Sequence, residues 1–257
     1  MNSRQSPRSD PSVRVTILGT GDAFSSHGRF NAGYLIEAGG YRILMEAGPT
    51  ILASLKRAEI RPADIDLILI SHLHGDHFAG LPFLFLEYTY ESPRRTRPTI
   101  VGPQYLESRT LTLVRTMFPG TAAVQLARDS RWVVIEPGDK RRFGPVRIAA
   151  IRTPHMKRYK SLAFRLELGG RTIVFSGDTG WTEDLIPFAA GADLFLCECT
   201  YFESAHLDFH LNYPRLERER DRLKVKRMVL THLGREVLDR GSEVAMEIGS
   251  DGMRIEV

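Results

Sequence analysis

One short stretch constrains the fold and chemistry of this chain more than any other. Ser71–His77 holds three histidines and one aspartate and directly follows the apolar run Ile65–Ile70. Such a run is typical of a strand covered on both faces, so these four side chains stand at the end of a buried strand. A core cannot absorb them without a cation, because unpaired polar and charged groups are costly to bury. Imidazole and carboxylate suit zinc, and also manganese or iron.

Three further candidate ligands occur where predicted strands end. They are His155, Asp178 and His232. Each lies just beyond the carboxyl end of an apolar run, which is the usual position of a site on an α/β sheet. The three runs are Ile148–Ile151, Thr172–Phe175 and Met228–Leu230.

The remaining patterns predict an α/β (α+β) protein in which each half has hairpin strands followed by a helix. Two similar halves of this kind pack sheet against sheet with helices outside. The other predicted strands are Val13–Leu18, Gly33–Glu37, Tyr41–Glu46, Thr99–Val101, Trp132–Glu136, Phe143–Ile151, Leu162–Leu168, Thr172–Ser176, Leu194–Cys197, Arg227–Leu230 and Met253–Val257. The predicted helices begin near Pro49 and span Leu81–Tyr90, Pro103–Met117, Glu183–Ala190 and Pro214–Leu223.

Composition bounds the class of protein. The 257 residues are 42% apolar and 26% charged, which are globular values. We expect a disordered tail over 1–12 and a single domain over 13–257. No apolar run approaches membrane-spanning length, and the start has no secretory signal. With only two cysteines as well, we expect a cytoplasmic protein without a membrane partner.

The seven candidate ligands resemble those of a known family. His72-x-His74-x-Asp76-His77, followed by His155, Asp178 and His232, is similar to the metal-ligand set of the metallo-β-lactamase superfamily. The resemblance implies a four-layer αββα sandwich with a dinuclear site at the edge of the sheets. It also implies two divalent cations, with zinc expected and manganese or iron as alternatives. In that arrangement one metal takes His72, His74 and His155, the other takes Asp76, His77 and His232, and Asp178 bridges them.

Two segments resemble the ribonuclease Z-like and cyclic phosphodiesterase branch of that superfamily. Leu18–Ala23 is similar to the opening of ribonuclease Z. The segment from Cys197 to His210 is similar to one in which a glutamate-containing motif precedes a non-ligand histidine near the scissile phosphate. The resemblance implies that His210 is a general acid, with His206 as an alternative. Asp76 and His210 are therefore the predicted catalytic residues.

The spacing within the chain also bears on the substrate. The tRNA-gripping arm of ribonuclease Z lies between the residues that correspond to His155 and Asp178, which here leave room for one hairpin only. We therefore expect a phosphodiesterase that cleaves a small or cyclic phosphodiester with a metal-bound hydroxide, RNA being the less favoured substrate. Lys157, Arg158 and Lys160 follow a candidate ligand and are candidate contacts for an anionic substrate.

Other functions remain open from sequence. They are an arm-less tRNA 3′ endonuclease, a lactone or thioester hydrolase, and a non-catalytic metal-binding protein. A homodimer is also open, because the apolar helix Leu81–Tyr90 suits a core, a pocket wall or a dimer contact.

Overall fold

A computed structural model describes residues 12–94, 96–203 and 208–257. The tail predicted over 1–12 therefore lies outside the described residues except for Ser12, and so does His206. The strands are β1 (Val13–Gly19), β2 (Gly33–Ala38), β3 (Tyr41–Met45), β4 (Leu67–Leu69), β5 (Thr99–Gly102), β6 (Arg131–Val134), β7 (Lys140–Phe143), β8 (Val146–Thr153), β9 (Ser161–Leu168), β10 (Arg171–Phe175), β11 (Leu194–Glu198), β12 (Met228–Thr231), β13 (Glu247–Ile248) and β14 (Arg254–Glu256). The α-helices are α1 (Ile51–Arg57), α2 (Gly75–Phe78), α3 (Leu81–Tyr90), α4 (Leu106–Met117), α5 (Ala122–Asp129), α6 (Leu185–Ala189), α7 (Tyr213–Leu223) and α8 (Arg235–Asp239).

Within the described ranges, the strands form two seven-stranded sheets. The first has the order β14-β1-β2-β3-β4-β5-β6, and the second has the order β13-β12-β11-β10-β9-β8-β7. One apolar cluster lies between the sheets, with Tyr34 and Phe164 among its buried side chains. A second cluster packs α1, α3, α4 and α5 onto the outer face of the first sheet. A third does the same for α6 and α7 on the second sheet. The predicted αββα sandwich is therefore confirmed.

Each sheet contains a tight hairpin where the sequence predicts one. Gly39 and Gly40 join β2 to β3 with φ angles of 55° and 81°, and Gly169 and Gly170 join β9 to β10 with φ angles of 57° and 74°. Two consecutive residues with positive φ form the turn that matches the twist of antiparallel strands, and glycine adopts it without a steric penalty.

Several local predictions were wrong. The predicted strand Phe143–Ile151 is two strands, β7 and β8, because the chain reverses at Gly144 with a φ of 54°. Helix α5 was missed although its apolar residues share one face, because it is only eight residues long. Helix α8 and strand β13 were also missed, being only five and two residues long.

The direction of the strands brings the candidate ligands to one edge. β3, β4, β5 and β6 run parallel to one another, as do β10, β11, β12 and β13. β8 points the same way as β10, because both are antiparallel to β9. The carboxyl ends of these strands therefore deliver the Ser71–His77 segment, His155, Asp178 and His232 to the same side of the sandwich.

Each helix of the described residues is too short or too polar to cross a bilayer.

Candidate metal centre

The structure brings the seven predicted ligands together in two overlapping groups. One comprises His72, His74, His155 and Asp178, and within it the candidate ligand atoms all lie within 4.8 Å of one another. The other meets the same limit and comprises Asp76, His77, Asp178 and His232. Asp178 belongs to both groups, which is the position of a bridging carboxylate.

The two ends of the Ser71–His77 segment are built differently. His72 and His74 precede helix α2 in extended backbone, whereas Asp76 and His77 lie on the helix itself. The chain packs closely here, since a Cβ on Gly48 would come within 2.0 Å of the Asp76 carbonyl oxygen. Only glycine fits at that position without moving the backbone of the second group.

Unpaired buried atoms indicate that this cluster suits cations. His72 Nε2, His77 Nε2 and Asp178 Oδ1 are buried and have no hydrogen-bond partner. Such atoms cost roughly 1–3 kcal/mol each when nothing satisfies them. Nitrogen and oxygen atoms that converge in this way are the donor set that zinc, manganese and iron take. The residues therefore fit a divalent metal centre.

Neighbouring groups orient the histidines from behind. His77 Nδ1 donates to Glu46 Oε2 at 2.6 Å, and His155 Nδ1 donates to the Phe209 carbonyl at 3.0 Å. His232 Nδ1 lies 3.0 Å from Thr200 Oγ1. A histidine whose Nδ1 carries the proton presents the lone pair of Nε2, so these contacts leave Nε2 available as a ligand atom.

Electrostatics in the cluster follow from burial and from the two carboxylates. Burial lowers the pKa of His72, and the neighbouring His77 lowers it further. Burial acts in the same direction on His77 and His232, but Asp178 and Asp76 outweigh it. They raise the pKa of His77 well above its usual value and that of His232 to about 9. Burial opposes ionisation of Asp178 too, yet the surrounding histidines hold its pKa well below the usual range. The carboxylates are thus ionised, and without a cation His77 and His232 carry the compensating positive charge. A divalent cation would displace those protons from Nε2 when it binds.

His210 lies at the rim of the cluster without belonging to either group. Its ring stacks on His232 at 5.4 Å between centroids and contacts the His155 ring edge-on at 4.8 Å. His210 Nδ1 contacts Glu198 Oε1 at 2.9 Å, which leaves Nε2 as the nitrogen available for proton transfer. Burial lowers the pKa of His210, but the Glu198 carboxylate outweighs it and the net shift is upward.

Two buried carboxylates at this site had no predicted role, although one of them, Glu198, lies in the segment that resembles ribonuclease Z. Glu46 follows β3 with a φ of 67°, accepts from the Ser71 backbone N–H at 2.7 Å and holds His77. Glu198 ends β11, accepts from the Thr179 backbone N–H at 2.6 Å and holds His210. The sequence signal was an acidic residue at the end of an apolar strand. A protein core tolerates such a residue only when hydrogen-bond or charge partners satisfy it.

The predicted substrate contacts lie in the loop between β8 and β9. Lys157, Arg158 and Lys160 are all exposed. Lys160 is ion-paired with Glu136, and the Arg158 guanidinium lies 5.4 Å from the ring of Tyr159. Lys160 therefore already has a partner, and the role of all three in substrate binding stays a prediction.

Comparisons with known proteins agree with this geometry. The probable metallo-hydrolase YhfI of Bacillus subtilis is 24% identical over 224 residues, covering 86% of this chain and 87% of that protein. Its crystal structure has a TM-score of 0.77 at 22% identity and covers 95% of this chain and 99% of that one. Ribonuclease Z of Clostridium novyi is 25% identical over 278 residues, covering 86% of this chain and 89% of that protein. The crystal structure of human tRNase Z, short form, has a TM-score of 0.75 at 24% identity and covers 94% of this chain and 98% of that one.

These similarities confirm the expectation of a metallo-β-lactamase-fold metallo-hydrolase of the ribonuclease Z-like branch. A family profile matches more specifically, over residues 13–248, which is nearly the whole of the predicted domain. The chain belongs to the family described as anti-Pycsar protein Apyc1.

Proposed function

We propose that the protein is a phosphodiesterase that cleaves a small or cyclic phosphodiester with two divalent cations, zinc being the expected metal. His72, His74 and His155 would hold one cation, and Asp76, His77 and His232 would hold the other. Asp178 belongs to both groups of candidate ligands and would contribute to each. Divalent cations bound there supply Lewis acidity and lower the pKa of water, so that hydroxide is available at neutral pH.

The observation that carries this proposal is the proton donor beside the cluster. His210 stands against both ligand groups, and Glu198 holds its Nδ1 and raises its pKa. Cleavage of a phosphodiester expels an alkoxide, which needs a proton. A thioester hydrolase has less need of a fixed imidazolium at this position, because a thiolate departs without a proton. We therefore assign to His210 the protonation of the leaving oxygen.

The segment between His155 and Asp178 favours a small substrate over a tRNA. It contains β9, β10 and the turn at Gly169 and Gly170, which account for most of its length. A long nucleic-acid-gripping arm therefore has no room there. The similarity to ribonuclease Z keeps RNA as the second candidate substrate.

Hydrolysis with different leaving groups tests the proposal. Protein loaded with zinc or manganese is expected to hydrolyse bis(p-nitrophenyl) phosphate and 2′,3′-cyclic nucleotides. His210→Ala should lower the rate of hydrolysis of the cyclic nucleotide by roughly 10²–10⁴-fold. The effect on bis(p-nitrophenyl) phosphate should be much smaller, because p-nitrophenolate departs without a proton.

His27→Ala is the matched control, because His27 also contacts a carboxylate, Asp239 at 2.8 Å, but is half exposed and outside the cluster. It should leave both rates unchanged. Absence of phosphodiester hydrolysis in fully loaded protein would refute the function. Cleavage of precursor tRNA with no activity on small diesters would favour the second candidate instead.

A further inference from the structure

A cleft opens beside His210 on the side of the second sheet. It has a volume of about 430 Å³ and lies between the loop that follows Asp178 and the first turn of α7. We call it the Trp181 cleft; the residues that line it include Trp181, His210, Leu211, Pro214 and Arg215. Its volume is in the range of pockets that bind small organic molecules.

One wall of the Trp181 cleft is a stacked pair of flat groups. The Arg215 guanidinium lies 5.0 Å from the centroid of the Trp181 ring. Trp181 Nε1 donates to Glu183 Oε1 at 2.9 Å, and the Arg215 backbone N–H donates to the Asn212 side chain at 2.9 Å. The Trp181 ring and the backbone of Arg215 are therefore held in place, while a third of the Arg215 side chain stays exposed. A guanidinium layered on an aromatic ring can be stacked by a further flat ring.

The charges around this wall argue against an anion as its ligand. Arg215 and Arg218 both contact Glu219, at 3.4 and 3.3 Å. Glu203, which also borders the cleft, is ion-paired with Arg240. Asp208 also lines the cleft, so that the two arginines are matched by two carboxylates. The wall therefore suits an uncharged flat ring better than a second phosphate.

The position of His210 indicates which part of the substrate would enter the Trp181 cleft. An acid that protonates the leaving oxygen must contact that oxygen, so whatever the oxygen carries extends past His210, away from the metal ligands. We propose that the Trp181 cleft receives the leaving-group side of the substrate, and that the stack of Arg215 on Trp181 binds a flat heteroaromatic ring on that side, such as a nucleobase. The direction rests on the proposed function, whereas ring binding rests on the wall alone.

Substrates with and without a ring test the proposal. We expect Arg215→Lys, which keeps the charge but removes the flat face, to raise KM for 2′,3′-cyclic AMP about tenfold, within the usual contribution of one stacked base. Trp181→Leu should act similarly. Neither change should alter KM or kcat for glycerol 1,2-cyclic phosphate, which has the same phosphate ring and no base. Arg220→Lys is the control, since Arg220 is half exposed on the same helix and pairs with Asp221.

Fluorescence provides a readout that does not need turnover. The chain has two tryptophans, so Trp132→Phe leaves Trp181 as the single reporter. Adenosine 3′-monophosphate should change its emission saturably, and Arg215→Lys should weaken that binding about tenfold. Unchanged KM values together with unchanged emission would overturn the proposal, as would equal losses on both cyclic substrates. If no phosphodiester is hydrolysed but the nucleotide still titrates Trp181, the proposed function fails and the ring site stands.

Discussion

Replacing Glu46 by glutamine tests whether a buried carboxylate behind the cluster controls metal affinity. Glu46 is fully buried, and its two oxygens have separate partners. Oε1 accepts from the Ser71 backbone N–H at 2.7 Å, and Oε2 accepts from His77 Nδ1 at 2.6 Å. Glutamine has nearly the same shape but only one acceptor oxygen. If that oxygen stays with Ser71, the amide NH₂ faces the N–H of His77, and two donors cannot bond.

The expected magnitude follows from this lost hydrogen bond. His77 can satisfy the glutamine amide only by moving its proton from Nδ1 to Nε2, which removes the lone pair that faces Asp76 and Asp178 at 3.1 and 3.3 Å. A hydrogen bond to a charged group contributes about 1.5–3 kcal/mol, and about 1.4 kcal/mol is a factor of ten in affinity. The ion held by the His77 group should therefore bind roughly 10–100-fold more weakly.

Competition against a chromophoric chelator measures this change. Zinc titrations of wild-type protein and Glu46→Gln should differ in the binding of the ion held by the His77 group. Binding to the other group should be less affected. Glu37→Gln is the control, because Glu37 makes a 2.9 Å pair with Arg42 near the surface, away from the metal ligands. A folded Glu46→Gln protein that binds both ions with wild-type affinity would refute the reasoning.

Two further predictions concern packing and pH. Gly48→Ala should abolish binding of one or both metals, because the new Cβ would lie 2.0 Å from the Asp76 carbonyl oxygen. Gly75→Ala, whose new Cβ would have its nearest neighbour at 3.9 Å, should bind metal normally. Metal analysis of the two purified variants distinguishes these outcomes. Asp193 accepts from Lys226 and from the Thr172 backbone N–H, both at 2.8 Å, and the Lys226 contact lowers its pKa from 3.8. A lowered carboxyl pKa stabilises the fold above about pH 4, and this contribution is lost as the pH falls through the folded value. Asp193→Asn should therefore reduce the free energy of unfolding by about 1 kcal/mol at pH 7 and by progressively less below pH 4 in urea titrations. A difference that does not depend on pH would contradict this account.

The two sheets support their histidines in the same way. Glu46 follows β3 in the first sheet and holds His77 through Nδ1, while Glu198 ends β11 in the second sheet and holds His210 through Nδ1. His77 belongs to one of the two predicted ligand groups, whereas His210 lies outside both and forms a further cluster with Glu198 and His232. Each carboxylate also accepts a backbone N–H from a neighbouring strand end, so the sheet framework positions both histidines. The same arrangement, a buried carboxylate held by a backbone N–H, therefore orients two histidines that have different chemical roles.

The sequence alone predicted the candidate ligands and determined the class of fold. The Ser71–His77 segment puts four donor groups in one stretch, and strand-end positions select His155, Asp178 and His232. These signals are local, because side-chain type and apolar periodicity are written along a short length of chain. The paired glycines of the hairpins are local signals of the same kind, since backbone geometry at a tight turn limits which residues fit.

Only the tertiary structure decided how these residues cooperate. Glu46 meets His77 across 31 positions of sequence, and Arg215 stacks on Trp181 across more than 30. Neither pair shares a periodic pattern, because their proximity comes from the order and direction of strands in the sheets. Ligand identity is thus a property of short segments, whereas ligand orientation and the shape of the cleft depend on contacts that form only when both sheets are packed.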